Sequence, residues 1–201
     1  LVGGRGSYAH FFLPLFDVDN EAYFYDLNTK LNYRINARNS LFLSGYFGRA
    51  VFSLSDNFVN TYGNSVLNFR WNHLFSNKLF SNLSLIYSDY YYGLQLDFAG
   101  FEWDSGIQNA NLKYDLKHYF SDNLQINYGL NNIYYKFNPG KIQPNDEESG
   151  IIEEQLIEKY ANESAVYVDV EHKITENISL QYGLRVSHFL RLGQDELFVY
   201  E

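Results

Sequence analysis

The sequence predicts an all-β protein: an antiparallel up-and-down transmembrane β-barrel, of which this chain carries about eight to nine strands. Three observations predict it. Long segments alternate between apolar and polar residues with period two, the connections between them alternate between short and long, and no segment suits a spanning helix.

The stretch 23–35, "YFYDLNTKLNYRI", sets the pattern. Tyr23, Tyr25, Leu27, Thr29, Leu31, Tyr33 and Ile35 fall on one face of a strand, and Phe24, Asp26, Asn28, Lys30, Asn32 and Arg34 on the other. Similar segments follow at 41–52, 64–75, 79–94, 107–120, 124–137, 164–174 and 179–190, making eight strand candidates. In 64–75, Leu67, Phe69, Trp71 and Phe75 oppose Asn68, Arg70 and Asn72. In 107–120, Ala110, Leu112, Tyr114 and Leu116 oppose Asn109, Asn111, Lys113, Asp115 and Lys117. In 164–174, Val166, Val168, Val170 and Ile174 oppose Asp169, Glu171 and Lys173. Segment 41–52 alternates less cleanly, because Phe42 and Tyr46 share parity with Ser44. The one place where a short helix competes is 151–160.

Short turns rich in turn formers are expected at 36–39, 76–78, 121–123 and 175–177, and long connections at 53–63, 95–106 and 138–163. Every second connection of a meander lies on the same side, so all the short turns share one rim and all the long loops the other. Outer-membrane barrels have this asymmetry.

Which face looks inward decides the reading. A soluble barrel buries the oily face; a membrane barrel shows it to lipid. The strand candidates run about 11 to 16 residues, whereas globular strands peak near 5 to 6. The polar face is rich in Asn (28, 32, 68, 72, 82, 109, 111, 127 and 131), a poor strand former that a wet lumen accommodates. Tyr33, His73, His118 and His172 sit on the oily parity just before short turns, near Phe75, Phe80 and Phe120; Tyr87, Tyr90, Tyr91, Tyr92, Tyr134 and Tyr135 gather toward the other rim. Two belts of amphipathic rings separated by Leu and Val fit a bilayer. A Lys or Arg facing the bilayer midplane costs roughly 2–4 kcal/mol, and with oil outward Lys30, Arg70 and Lys113 avoid it.

Composition excludes other classes. Of 201 residues, 19 are Tyr and 17 Phe, while Cys is absent, which removes disulfides and thiolate metal sites. A net charge of −9 without a basic cluster argues against a nucleic-acid partner. The longest apolar run, 11–16, is short and contains Pro14, far below the roughly 18 residues a spanning helix needs. The chain starts at Leu1 without a signal peptide and stops at "ELFVYE", which resembles the start of a strand; it reads as a piece of a longer protein, one part of a single barrel domain.

The segments "YFYDLNTKLNYRIN", "LFLSGYFGRAVF", "FRWNHLFSNKLFSNLSLIYSDYYY", "FEWDSGIQNANLKYDL" and "YGLNNIYYKFNPGKI" resemble middle strands of the barrel of a TonB-dependent outer-membrane receptor, and "VGGRGSY" the end of an earlier strand. The resemblance covers nearly the whole chain and rests on the style of successive hairpins. It implies a large plugged barrel in the bacterial outer membrane, of the 22-stranded class. It also implies energised uptake of a nutrient of the siderophore, cobalamin or glycan class. The implied partners are outer-membrane lipid, a plug domain of the same protein, the TonB complex and a surface lipoprotein. The plug and TonB box would lie upstream of Leu1, so none of the family's functional residues transfers to this chain. No cofactor is implied. Eight strands alone would leave two open sheet edges for other strands to cover.

The aromatic outer-rim residues Tyr90, Tyr91, Tyr92, Phe101 and Trp103 are the candidate ligand contacts, suited to stacking on a sugar or an aromatic chelator; belt and loop packing is the competing role. The expected lumen-facing polar set is Asn28, Lys30, Asn32, Arg34, Asn68, Arg70, Asn72, Asn109, Asn111, Lys113, Asp115, Asp169 and Glu171. The histidines are expected in the belt rather than on a metal: two strand spacings are about 9.5 Å, too far for rings to share an ion at about 2 Å. The loop 145–163 carries seven carboxylates against Lys159 alone, a cation site or a solvated outer loop, with the latter expected. "DVDNE" at 17–21 lacks the glycine and distal Glu of a calcium loop. No nucleophile–base pair, paired carboxylates or phosphate-binding glycine loop stands out, so an enzyme is not expected. The competing functions are a passive porin or adhesin barrel and a soluble ligand-binding barrel with its oily face inside.

Overall fold

The computed structural model describes residues 1–8, 12, 20–54, 57–146 and 149–193. Ten strands follow one another: β1 Val2–Gly6, β2 Asn20–Asn36, β3 Asn39–Leu54, β4 Phe58–Ser76, β5 Leu79–Leu96, β6 Phe101–Ser121, β7 Leu124–Pro144, β8 Glu154–Gln155, β9 Lys159–Thr175 and β10 Ile178–Leu192. They form one antiparallel sheet in the order β1-β2-β3-β4-β5-β6-β7-β9-β10, with β8 pairing only the outer end of β7. This is an up-and-down sheet, not closed on itself, with β1 and β10 at its edges.

All eight expected strands are present, but two more join them. β1 is the strand end expected in "VGGRGSY", and β8 was not expected at all. It lies within 151–160, where the sequence allows a short helix; there Gln155 and Glu154 pair with Lys141 and Ile142 of β7. The strands also run past their expected ends, β6 and β7 reaching 21 residues each. The expected long connection 53–63 is mostly strand, since β3 ends at Leu54 and β4 begins at Phe58. The outer hairpins therefore rise as paired β-structure rather than as loops. "ELFVYE", the apolar run 11–16 apart from Phe12, Asp17 to Asp19 of "DVDNE", and Glu147 and Glu148 of the acidic loop lie outside the described residues.

The four short turns share one construction. In each, a side-chain oxygen of the last strand residue accepts a hydrogen bond from the backbone N–H two residues on: Asn36 from Arg38 at 2.9 Å, Ser76 from Lys78 at 3.2 Å, Ser121 from Asn123 and Thr175 from Asn177, both at 3.3 Å. These are Asx- and ST-turns, which is why Asn, Ser and Thr recur there.

Register sorts every strand onto two faces. Following direct partners across the sheet, Tyr33, Leu41, Trp71, Leu83, Tyr114, Leu130, Val166 and Val186 form one row on one face. The row begins close to the short turn in β2 and ends far from it in β10. Such a stagger is the shear by which a sheet tilts its strands and curls. The same face carries Leu31, Leu67, Leu112 and Val168, which remain 53%, 52%, 40% and 39% exposed. They do not converge on a core; among the described residues the only buried apolar side chains are Ala161 and Ala165. A single-layer sheet with a bare hydrocarbon face cannot be a finished structure in water.

Candidate functional site

The two faces differ in chemistry from the short-turn rim through the middle of the sheet. On the oily face, every Asp, Glu, Lys or Arg of the described strands stands toward the rim of the long connections: Glu21, Arg49, Asp89, Glu102, Asp104, Lys136 and Lys141. Toward the short-turn rim that face carries rings. Asn39 Oδ1 accepts from Trp71 Nε1 at 3.0 Å and meets His73 Nδ1 at 2.7 Å; His73 packs on Phe75 with centroids 4.4 Å apart, and His118 on Phe120 at 3.9 Å. Tyr33 and His172 occupy the same face and rim. Phe80 is on the other face, against Tyr119.

The opposite face holds the polar set. Asn28, Lys30, Asn32 and Arg34 line β2, Asn68, Arg70 and Asn72 line β4, and Asn109, Asn111, Lys113 and Asp115 line β6. Asp169 and Glu171 follow on β9. Many are knitted to neighbours: Asn109 donates to Ser88 Oγ at 2.7 Å, Lys113 reaches Asp115 at 3.3 Å, Gln125 donates to Glu171 at 3.0 Å and Gln181 to Asp169 at 3.2 Å. Tyr167 donates to Asp115 and lies under the Arg185 guanidinium, 5.5 Å from the ring centroid. Phe42 and Tyr46, which blurred the parity of β3, belong to this face. Phe42 is stacked by Arg70 at 4.6 Å, and Tyr46 lays its hydroxyl over Gly48. Yet among the described residues Asn68, Asn72, Asn111 and Asn131 each keep a buried side-chain oxygen that accepts no hydrogen bond, and Arg70 Nε finds no acceptor. Buried acceptors of this kind are normally satisfied by another chain segment or by water.

Toward the long-connection rim the polar face turns aromatic. Tyr90 and Tyr92 on β5 and Phe101 and Trp103 on β6 all stand on it, but Tyr90, opposite Ile107, and Phe101, opposite Leu96, lie about 20 Å apart along the strands. Tyr92 meets Trp103 edge to face at 6.2 Å, and its hydroxyl accepts from Asn60 Nδ2 at 2.8 Å. Trp103, Gly140, Ile142, Glu154 and Leu156 line a cavity of about 110 Å³ under β8. Tyr91 is separated from this group. It points to the oily face, where its hydroxyl donates to Asp104 at 2.7 Å. Thus four of the five candidate contacts share a face, with Tyr92 and Trp103 in contact, and Tyr91 lies on the other. Tyr62, Phe58 and Ile142 join the patch from neighbouring strands, and only register, not local sequence, places them there.

The hairpin tips above this patch are tied together. Asp97 opens the 3-10 turn Asp97–Ala99; its N–H donates to Asn57 O at 3.0 Å and its carboxylate accepts from Asn145 Nδ2 at 2.7 Å. Ser149 Oγ donates to Gly100 O at 2.5 Å, and Gly100 takes the left-handed φ of 73° that ends the turn. The acidic loop is likewise engaged: Lys141 pairs with Glu153 at 2.9 Å and Lys136 with Glu158 at 2.8 Å. Lys136 and Tyr160, both donating to Glu158, hold its carboxyl below the usual carboxylate range. Among the described residues no three His, Asp or Glu side chains converge as metal ligands.

Sheet order, stagger and sorted faces define a strip of up-and-down antiparallel barrel wall. Among solved structures the chain is similar to the crystal structure of BauA, the ferric preacinetobactin receptor from Acinetobacter baumannii, with a TM-score of 0.64 at 10% identity. The match covers 85% of this chain and 34% of that one, so the chain spans about a third of that receptor's length. At such identity the likeness is one of fold. No protein-family model and no curated protein matches the sequence.

Proposed function

We propose that this chain is part of the wall of a plugged outer-membrane barrel of the TonB-dependent receptor class, working in energised nutrient uptake. In this reading the oily face meets lipid and the polar face lines the bore. The observation that carries it is the confinement of charge on the oily face to one rim, leaving between two levels of aromatic rings an uncharged band whose polar side chains Asn132, Asn162 and Ser164 bond to one another. The unmatched amide oxygens of Asn68, Asn72, Asn111 and Asn131 support a plug as the cover of the polar face, since a folded segment would bring N–H donors to them. The aromatic patch around Tyr90, Tyr92, Phe101 and Trp103 is the ligand contact, facing the bore beneath the tied hairpin tips. The likeness to a siderophore receptor supports a chelated metal as cargo. The wall binds and conducts; it does no covalent chemistry.

The chain has no native Cys, which makes the test direct. In the full-length protein in outer membranes, Lys113→Cys should react with a membrane-impermeant maleimide from the bore, while Leu112→Cys should resist it and be quenched by a lipid-soluble nitroxide once labelled. The reverse pattern would sink the orientation. Uptake of a ferric chelate that persists after the inner-membrane proton gradient is collapsed would instead favour a passive pore.

A further inference from the structure

The chain as a whole is acidic, at −9, yet the polar face of its first long strands is not. Among the described residues the only carboxylate on that face from β2 to β5 is Asp26, and Arg5 holds it. The cations there are Lys30, Arg34 and Arg70. Arg70 is the least satisfied. Its guanidinium stacks on Phe42 at 4.6 Å, while its buried Nε finds no acceptor among the described residues. Its neighbours in register are Phe42 on β3 and Ser84 on β5. β4 is an interior strand, paired on both sides, so no further strand of the wall can bring an acid beside Arg70. Two residues to either side, Asn68 and Asn72 each hold a buried oxygen without a donor among the described residues. Lys30 and Arg34 are level with these two, through Ser44 and Ser40, at two strand spacings or about 9.5 Å. Both are exposed, and neither has an ion partner among the described residues.

We propose that the segment covering this part of the polar face is acidic: one of its carboxylates lies on Arg70 and a second between Lys30 and Arg34, while its backbone N–H groups reach the oxygens of Asn68 and Asn72. A guanidinium takes a carboxylate through two parallel hydrogen bonds, which gives Nε the acceptor it lacks. Buried amide oxygens are met by donors in the same way. An anionic cargo fits this place less well, because it would first have to pass Glu102, Asp104 and the carboxylates of 145–163 at the long-connection rim. A cover held by ions over Asn and Ser, rather than by apolar packing, can slide along the wall without baring hydrocarbon to water.

The inference rests on the reading that a folded segment covers the polar face. The test uses the full-length protein in detergent, with Ser44→Cys as its single thiol; Ser44 lies between Lys30 and Asn68. That thiol should react slowly with a hydrophilic maleimide. Arg70→Glu should raise the rate about tenfold or more, with heat-modifiable migration unchanged as the control for folding. Raising salt from about 0.01 M to about 1 M, which shortens the Debye length from about 30 Å to about 3 Å, should also speed labelling. Arg70→Lys should keep the thiol protected, and its new amine lets a carbodiimide join it to the adjoining carboxylate. Peptide mapping should find that link on an Asp or Glu outside β1 to β10. A link to the wall, such as to Asp115, or labelling indifferent to both salt and Arg70→Glu, overturns the acidic cover. Protection that appears only when an anionic chelate is added makes the occupant cargo and overturns it too. Rapid labelling of Ser44→Cys in the otherwise unaltered protein means that nothing covers the face, and the plug reading then fails as well.

Discussion

Trp103 rests on Gly140: a methyl group built on that glycine would fall 2.0 Å from the indole Nε1. The contact explains how an aromatic from β6 lies against the next strand beneath β8. Gly140→Ala is therefore expected to expel the indole and to cost about 1–3 kcal/mol, the range for overpacking. In a Trp71→Phe background, which leaves one Trp in this stretch, the emission of Trp103 should shift to the red and ligand affinity should fall. Unchanged emission would show that the indole does not depend on the bare backbone.

Neighbouring residues on β6 should respond oppositely to the same charge. Leu112→Arg places a guanidinium on the oily face and is expected to destabilise the vesicle-inserted full-length protein by roughly 2–4 kcal/mol, whereas Asn111→Arg on the polar face costs far less. Urea titration of both variants in lipid vesicles measures the difference. Equal costs would contradict a lipid-facing Leu112.

At the first edge, Asp26 is nearly buried while its partner Arg5 is open to solvent; Arg5 Nε donates to Asp26 at 2.5 Å and Asn28 Nδ2 to the same carboxylate at 3.2 Å. Because β1 is only five residues long, this ion pair is a main fastener of β1 to β2. Asp26→Ala should release Arg5 and Asn28, both exposed, to water and so loosen the edge without stranding a buried donor. It should also speed amide exchange in Val2–Gly6 while leaving β5, β6 and β7 unchanged. Exchange that quickens uniformly would mean the pair supports the whole sheet.

The contact between Lys136 and Glu158 has a definite pH window. The folded carboxyl is held below its ordinary value, first by Lys136 and then by Tyr160, so its stabilising effect is fully present above the unfolded Glu value and fades as pH falls through the folded one. A carbonyl-carbon NMR titration of Glu158 should show this depressed midpoint, and Lys136→Met should return it toward the ordinary range. A midpoint indifferent to that substitution would remove Lys136 as the cause.

The two faces were legible in the sequence because period two survives wherever a strand crosses between unlike surroundings, as from Leu27 to Arg34 or Leu67 to Asn72. Strand ends were not. Beyond the oily band the distinction between surroundings fades, and Phe52, Leu54, Phe58, Leu94 and Leu96 all fall on the polar face. Alternation that loses its chemical contrast reads as loop. The run of Tyr90, Tyr91 and Tyr92 carries no parity of its own, so only pairing with Ile107, Gly106 and Ser105 sends Tyr91 to the other side. β8 left no signal, since two polar residues suffice to make it. The patch was half legible: Phe101 and Trp103 stand out by type, but Gly140 matters through a contact 37 positions away that no local pattern encodes.

Apart from the short β8 on β7, each long strand of this sheet pairs only with strands adjacent in the order, and each tight Asx- or ST-turn closes its own hairpin. The wall is therefore modular. Duplicating one hairpin would insert two staves without rewiring any other pair, and bore diameter would grow in proportion to stave number. Size selectivity in such an architecture can change by whole-hairpin gain or loss, leaving the greasy and wet surfaces of every remaining stave as they were.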